Sequence, residues 1–257
     1  ANSRSKFCLI SDSESIISLD VEAAATGTGH NDRAPCRVAA VDRFGQVLLD
    51  VVICIPPHIL YDPLSEFTGL SATDIHHGIA FLEARSMLVS ICGPNSVLIS
   101  QNPENDIEWM ELQQGRDYKR LINIGNYFRV WSYPSHWCYF TLAKTAYGLL
   151  NIEIQRGIHS PVEDSRAAMQ LFLKYLIVHP ENTEDKLLDA RGKLFGMQLG
   201  GEFPEWLMKK PTVGQGICHS KYDLMYCCCG QPTGRMVVSS TMEAILYERV
   251  SFHVQYA

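Results

Sequence analysis

The chain has 257 residues, of which 46% are hydrophobic and 19% charged, and its formal net charge is −6. That length and apolar content support one well-buried core and exclude an intrinsically disordered chain, while the acidic balance argues against a surface that grips nucleic acid everywhere; a local basic groove remains compatible with it. Nine cysteines are an odd number, and Cys227, Cys228 and Cys229 are consecutive, which is poor geometry for separate disulfides and fits a reducing, intracellular setting. No apolar run approaches the roughly 20 residues that cross a bilayer. The polar residues 1–14 lack the blocks of a secretory leader. A soluble intracellular protein is expected, with its compartment unspecified.

In chain order, residues 1–14 read as a flexible segment and 16–22, rich in Ile and Leu between polar flanks, as a strand leading into a Gly- and Asn-containing loop over 26–33. Residues 37–42 and 46–55 then read as a hairpin across Arg43, Phe44 and Gly45. Ser71 with Asp74 resembles a capping box, and Ile75, Ile79, Leu82, Met87, Leu88 and Ile91 give a helical pattern with one drift in phase. Residues 96–99 suit a fourth strand. Asn102 as cap and Pro103 at the first helical position then open a helix through 107–112.

After a less regular aromatic stretch over 118–139, residues 141–150 form a predicted helix. The clearest helix start follows: Ser160 as cap, Pro161 in the first turn, Glu163 able to reach back, and Ala168, Leu171, Phe172, Tyr175 and Leu176 as the buried stripe. This helix should end before His179 and Pro180. Strands followed by helices in this order imply an α/β sheet of mixed direction covered by helices. From about residue 181 the composition turns to Gly, Pro, Lys and Cys, with a helix over 185–194. The expected division is a main domain over 15–180 and a small Cys-containing C-terminal appendage over 181–257, whose composition is compatible with recruiting a protein partner.

Asp20 and Glu22 are two residues apart on a predicted strand, so both carboxylates share one face while Leu19 and Val21 take the other. Two close carboxylates repel unless a cation joins them, and Mg²⁺ or Mn²⁺ prefers oxygen ligands. Taken alone, such a pair is far more often just an exposed Asp and Glu on a solvated edge strand. Asp106 and Asp164 each fall at the fourth position of a predicted helix, where an anion also serves simply to offset the helix dipole. Asp164, however, lies on the stripe of Ala168, Leu171 and Tyr175 and so points inward. His159 precedes the cap of the same helix, where a flexible entry loop can bring its imidazole beside a metal-bound water, although a lone His there is more often simply a surface-loop residue.

The ordered set of Asp20-Val21-Glu22, then Asp106 within Gln101-Asn102-Pro103-Glu104-Asn105-Asp106-Ile107, then His159 to Ala167 with Asp164, resembles the DEDDh 3′-to-5′ exonuclease superfamily. The similarity is strongest to the branch of RNA exonucleases that includes interferon-stimulated and ribosomal-RNA-processing members, and it covers about residues 15–176. Phe44 to Asp50 and Phe67-Thr68-Gly69-Leu70 are similar to further segments of that family. The resemblance implies an RNase H-like mixed five-stranded sheet flanked by helices. It implies Asp20, Glu22 and Asp164 as direct ligands of two Mg²⁺ or Mn²⁺ ions about 3.5–4 Å apart, Asp106 as a supporting ligand and His159 as general base. The implied partner is single-stranded RNA, or DNA, with a free 3′ end, and the product is a nucleoside monophosphate. Gln101-Asn102 stands where family members often carry Gly-His, and Val21-Glu22-Ala23 where they carry Cys-Glu-Met. These departures spare the metal ligands and touch the lining of the terminal nucleotide's pocket.

Two further features offer binding chemistry. Cys218, His219 and Cys227 to Cys229 offer zinc ligands, but their spacing is not that of a two-plus-two finger, and thiols packed in a small core are the preferred reading over structural Zn²⁺. Tyr127, Phe128, Trp131, Tyr133, Trp137 and Tyr139 are able to stack on bases. At that density core packing accounts for most of them. Two other functional readings stand beside the exoribonuclease: a non-catalytic scaffold or RNA-binding part of a ribonucleoprotein, and a DNA-directed exonuclease.

Overall fold

A computed structural model describes residue 10 and residues 14–29, 31–132, 136–177, 183–208, 213–214 and 217–218. Its main sheet is built outward from β1 (Ile16–Ala25), which pairs antiparallel with β2 (Arg33–Asp42) on one side; β2 in turn pairs antiparallel with β3 (Val47–Val52). On the other side β1 runs parallel to β4 (Val97–Ser100), and β4 parallel to β5 (Arg120–Asn123). The order β3-β2-β1-β4-β5 makes a mixed sheet with β1 at its centre. The fifth strand falls within the stretch expected to be irregular, because four residues with a single fully buried side chain carry too little period to be read as a strand.

Alternation along β1 sets the two faces of the sheet. Ile17, Leu19 and Val21 enter an apolar cluster with Ala84, Leu88 and Cys92, which lie on α3 (Phe81–Cys92). Ile16 joins the opposite cluster, formed with Ala143 and Ala146 of α6 (Leu142–Leu150) and Leu171 and Phe172 of α7 (Pro161–Tyr175). Ser18, Asp20 and Glu22 share the face of Ile16, so the carboxylates look toward α7. Leu171 and Phe172 are fully buried, and each contributes roughly 1.5–3 kcal/mol by leaving water.

Between β3 and β4 lie α1 (Ser65–Thr68), α2 (Ala72–His76) and α3. Ser71 and Asp74 do form a capping box, but the drift in phase beyond it is a break in the helix. Ile79 leaves helical geometry to bridge Ile53, with its N–H donating to Val52 O at 2.9 Å and its carbonyl accepting from Cys54 N at 2.8 Å. Gly78 makes this approach feasible, since a Cβ there would stand 2.7 Å from the carbonyl carbon of Ile53.

The helix expected from an Asn102 cap begins one residue later. α4 spans Glu104–Trp109 behind Pro103, and Asp106 is its third residue. Asn102 adopts φ 53°, which Asn tolerates, and its N–H donates to Asn123 Oδ1 at 3.0 Å. The aromatic stretch also holds α5 (Gly125–Phe128) and a ribbon of β6 (Val130–Ser132) and β7 (His136–Cys138). Beyond α7, the helix expected over 185–194 runs longer, as α8 (Thr183–Gly200), before α9 (Glu205–Met208). Leu187, Ala190, Leu194, Phe203 and Leu207 are buried in the same cluster as α6 and α7, so residues 183–208 share the core of the main sheet. Val213–Gly214 and Ile217–Cys218 pair as β8 and β9. His219 and Cys227 to Cys229, the other candidate zinc ligands, lie outside the described residues. Among the described residues no helix is long and apolar enough to cross a membrane.

Candidate active site

Asp164 is the fourth residue of α7. The Ser160 hydroxyl caps that helix by accepting from Glu163 N at 3.5 Å, and Pro161 occupies its first position. The amphipathic period then turns Asp164 onto the sheet, where it is 2% exposed. Glu22, 6% exposed, sits on the strand facing it. A register shift between Glu22 and Ala23 marks an irregularity of β1 at this point, a device that re-aims side chains near sites.

His159 completes the group. One ligand atom from each of Glu22, His159 and Asp164 lies within 4.8 Å of the others. The loop that delivers the imidazole is anchored on the α1 turn: His159 N donates to Phe67 O at 2.6 Å, and the two rings meet edge to face at 5.9 Å. Gly69, with φ 68°, leaves room for Ile158, whose Cγ2 would stand 2.6 Å from any Cβ at that position. The Phe67-Thr68-Gly69-Leu70 segment therefore serves as the seat of His159.

Asp20 and Asp106 stand outside this three-residue group. Asp20 is half-buried, opposite Ala39 on β2 and two residues before Glu22 on the same face. Asp106, 7% exposed, accepts from the Ser100 hydroxyl at 3.4 Å, which ties α4 to the end of β4. Three of the five expected positions are thus brought into direct proximity, while Asp20 shares the strand face of Glu22 and Asp106 is tied to the end of β4.

The structure adds neighbours that the sequence did not signal. Gln155 donates from Nε2 to Asp164 Oδ2 at 2.6 Å, from a backbone with φ 60°. A lone Gln in an irregular loop has no pattern by which to be found. Arg37 is the cross-strand neighbour of Glu22. The hydrogen bond to Asp50 raises the Arg37 pKa, and Glu22 adds to that rise by its charge, so a fixed positive charge stands beside the buried carboxylate.

No protein-family model matches the chain. In sequence it is similar to RNA exonuclease 4 of Candida glabrata, 28% identical over 160 residues, which cover 61% of this chain and 58% of that protein. It is equally similar to RNA exonuclease 4 of Saccharomyces cerevisiae, 28% identical over 162 residues, with 62% and 53% covered. The chain thus spans about half the length of these curated relatives. In structure it is similar to the apo pseudoubiquitin hydrolase–RNA exonuclease module of Saccharomyces cerevisiae Pan2, with a TM-score of 0.59 and 18% identity over 77% of this chain and 35% of that one. The same module in complex with AACCAA RNA gives 0.58 and 17%, with 78% and 36% covered. The mixed five-stranded sheet flanked by helices and these likenesses identify the fold as RNase H-like, that of the exonuclease domains it resembles.

Proposed function

We propose that the chain is a divalent-metal-dependent 3′-to-5′ exonuclease that removes nucleoside 5′-monophosphates from single-stranded RNA. The observation that carries this reading is the meeting of Glu22, Asp164 and His159 within 4.8 Å, with both carboxylates nearly excluded from water. Neighbouring buried carboxylates are costly without a cation, and an all-oxygen pair suits Mg²⁺ or Mn²⁺. The residues present therefore fit the ions that the fold family uses. Asp20, Glu22, Asp106 and Asp164 would hold two of them, and when bound they supply Lewis-acid stabilisation of charge at the scissile phosphate.

The chain's own groups do the rest. His159, anchored through Phe67, accepts the proton from the attacking water as the new phosphorus–oxygen bond forms and the bond to the leaving 3′ oxygen breaks. Gln155 fixes the orientation of Asp164 through its 2.6 Å hydrogen bond, which keeps that carboxylate pre-set for ions. Support for RNA comes from relatives named as RNA exonucleases.

The test is degradation of 3′- and 5′-labelled single-stranded RNA and DNA with Mg²⁺ or Mn²⁺ by the parent, Asp20→Ala and His159→Ala. Stepwise loss from the 3′ end, abolished by either substitution, is expected, with RNA degraded faster than DNA. A preference for DNA would move the substrate class. An inert, folded parent that binds the strands intact would establish the scaffold reading instead.

A further inference from the structure

The ribbon of β6 and β7 is left unused by the chemistry above. Val130 opposes Cys138, and both pack against the core. The next pair, Trp131 opposite Trp137, must fall on the other face. Neither indole belongs to the apolar clusters of the described residues. The two rings instead meet edge to face at 5.2 Å and remain partly exposed. Arg129 and Tyr139, each two residues away along its chain segment, are on that same face. The Arg129 guanidinium lies 4.3 Å from the Trp137 ring centroid and 5.6 Å from that of Tyr139, and its Nη1 donates to the Tyr139 hydroxyl at 2.6 Å. Tyr139 is 42% exposed. Among the described residues, the core cluster takes in Phe128 and Val130 but neither of these two indoles.

Position and charge say what would cover it. Phe140, directly after Tyr139, accepts from Gln101 Nε2 at 2.8 Å, and Gln101 follows Ser100, the partner of Asp106. The ribbon is thus rooted at the carboxylate end of the sheet. Behind it Arg191 donates to Tyr127 O at 2.7 Å; burial lowers its pKa, the Glu184 carboxylate opposes that shift, and the charge of Arg129 adds to it. Aromatic rings ordered by a cation and placed beside a phosphodiester-cleaving centre match the stacked bases and phosphates of a single strand.

We infer that this ribbon face is a stacking platform for bases of single-stranded RNA lying upstream of the 3′-terminal nucleotide. The inference rests on the exonuclease reading for its choice of ligand, and its test is kept apart from activity. Binding of a fluorescein-labelled oligouridylate of about a dozen nucleotides is measured by anisotropy in EDTA with the whole chain. Trp131→Ala and Trp137→Ala are each expected to weaken binding roughly ten-fold or more, with Trp137→Phe retaining most of the affinity. In the unsubstituted chain, unlabelled oligouridylate should quench indole fluorescence, a readout that stands even if an alanine variant misfolds. Equal affinity of parent and folded alanine variants, absence of quenching, or absence of any binding would overturn the platform. Degradation assays on the same proteins separate the two ideas: an active enzyme whose ribbon variants bind normally loses only the platform, whereas weakened binding in an inert parent removes only the exonuclease.

Discussion

Glu22 and Asp164 are held almost out of water with a ligand atom of each inside 4.8 Å, and like charges so placed oppose folding until a cation joins them. Asp164→Asn is accordingly expected to unfold at a higher temperature than the parent in chelator. Mg²⁺ or Mn²⁺ should raise the parent's melting temperature and leave that of the variant nearly unchanged; at 100 times the dissociation constant a bound ion is worth about 2.7 kcal/mol. Calorimetry with and without metal decides it, and a parent indifferent to both ions would remove the metal reading. His159 differs in kind, because a proton acceptor matters to rate more than to ion affinity. His159→Ala should lower kcat by about 10²–10⁴-fold while the metal-induced shift in melting temperature persists.

At the scale of elements, two glycines set how segments approach the site. Gly69 has φ 68° and stands against Ile158, while Gly78 is pressed on the backbone of Val52 and Ile53. Gly69→Ala combines a left-handed backbone with a clash and should cost about 1–3 kcal/mol; because it shifts the seat of His159, activity should fall further than stability alone explains. Gly78→Ala should cost a similar amount by prising Ile79 off the edge of β3, without the same loss of activity in the fraction that remains folded. Thermal melts paired with initial rates separate the two, and equal ratios of activity to folded protein would refute the assignment of Gly69.

The whole molecule depends on the segment beyond α7. Leu194 is fully buried and packs against Gly148 of α6, so Leu194→Ala should destabilise the core of the main sheet by about 3 kcal/mol, seen as a single unfolding transition moved to lower denaturant. Asp117 anchors the other side of the sheet. The hydrogen bond from Arg116 leads in holding its carboxyl below the usual range, helped by Gln113 N–H and by the charges of Arg116 and Arg85. A depressed folded pKa means that this contribution is present above the unfolded value near 3.9 and is lost as pH falls through the folded one. Asp117→Asn should therefore be less stable than the parent at pH 6, and the difference should shrink below about pH 4 in urea titrations across that range.

The sequence by itself determined the parts whose signals are local. The period of two places Asp20 and Glu22 on one face, the Ser160-Pro161 start fixes the phase of α7 and turns Asp164 inward, and Ser71 with Asp74 caps α2 as its pattern requires. Only the tertiary structure decided what depends on neighbours distant along the chain. The break at Gly78 answers to the backbone of β3, Asn102 turns to meet Asn123 rather than to cap, and Gln155 acquires its role only because Asp164 arrives beside it. The same holds for the aromatic stretch: composition gives Phe128 and Trp131 equal apolar weight, yet α5 carries Phe128 inward against Tyr175, and the pairing of β6 with β7 puts Trp131 on the face opposite Val130. Local chemistry sets period and caps, whereas contact between segments is set by packing, and no pattern within a single segment encodes its partner.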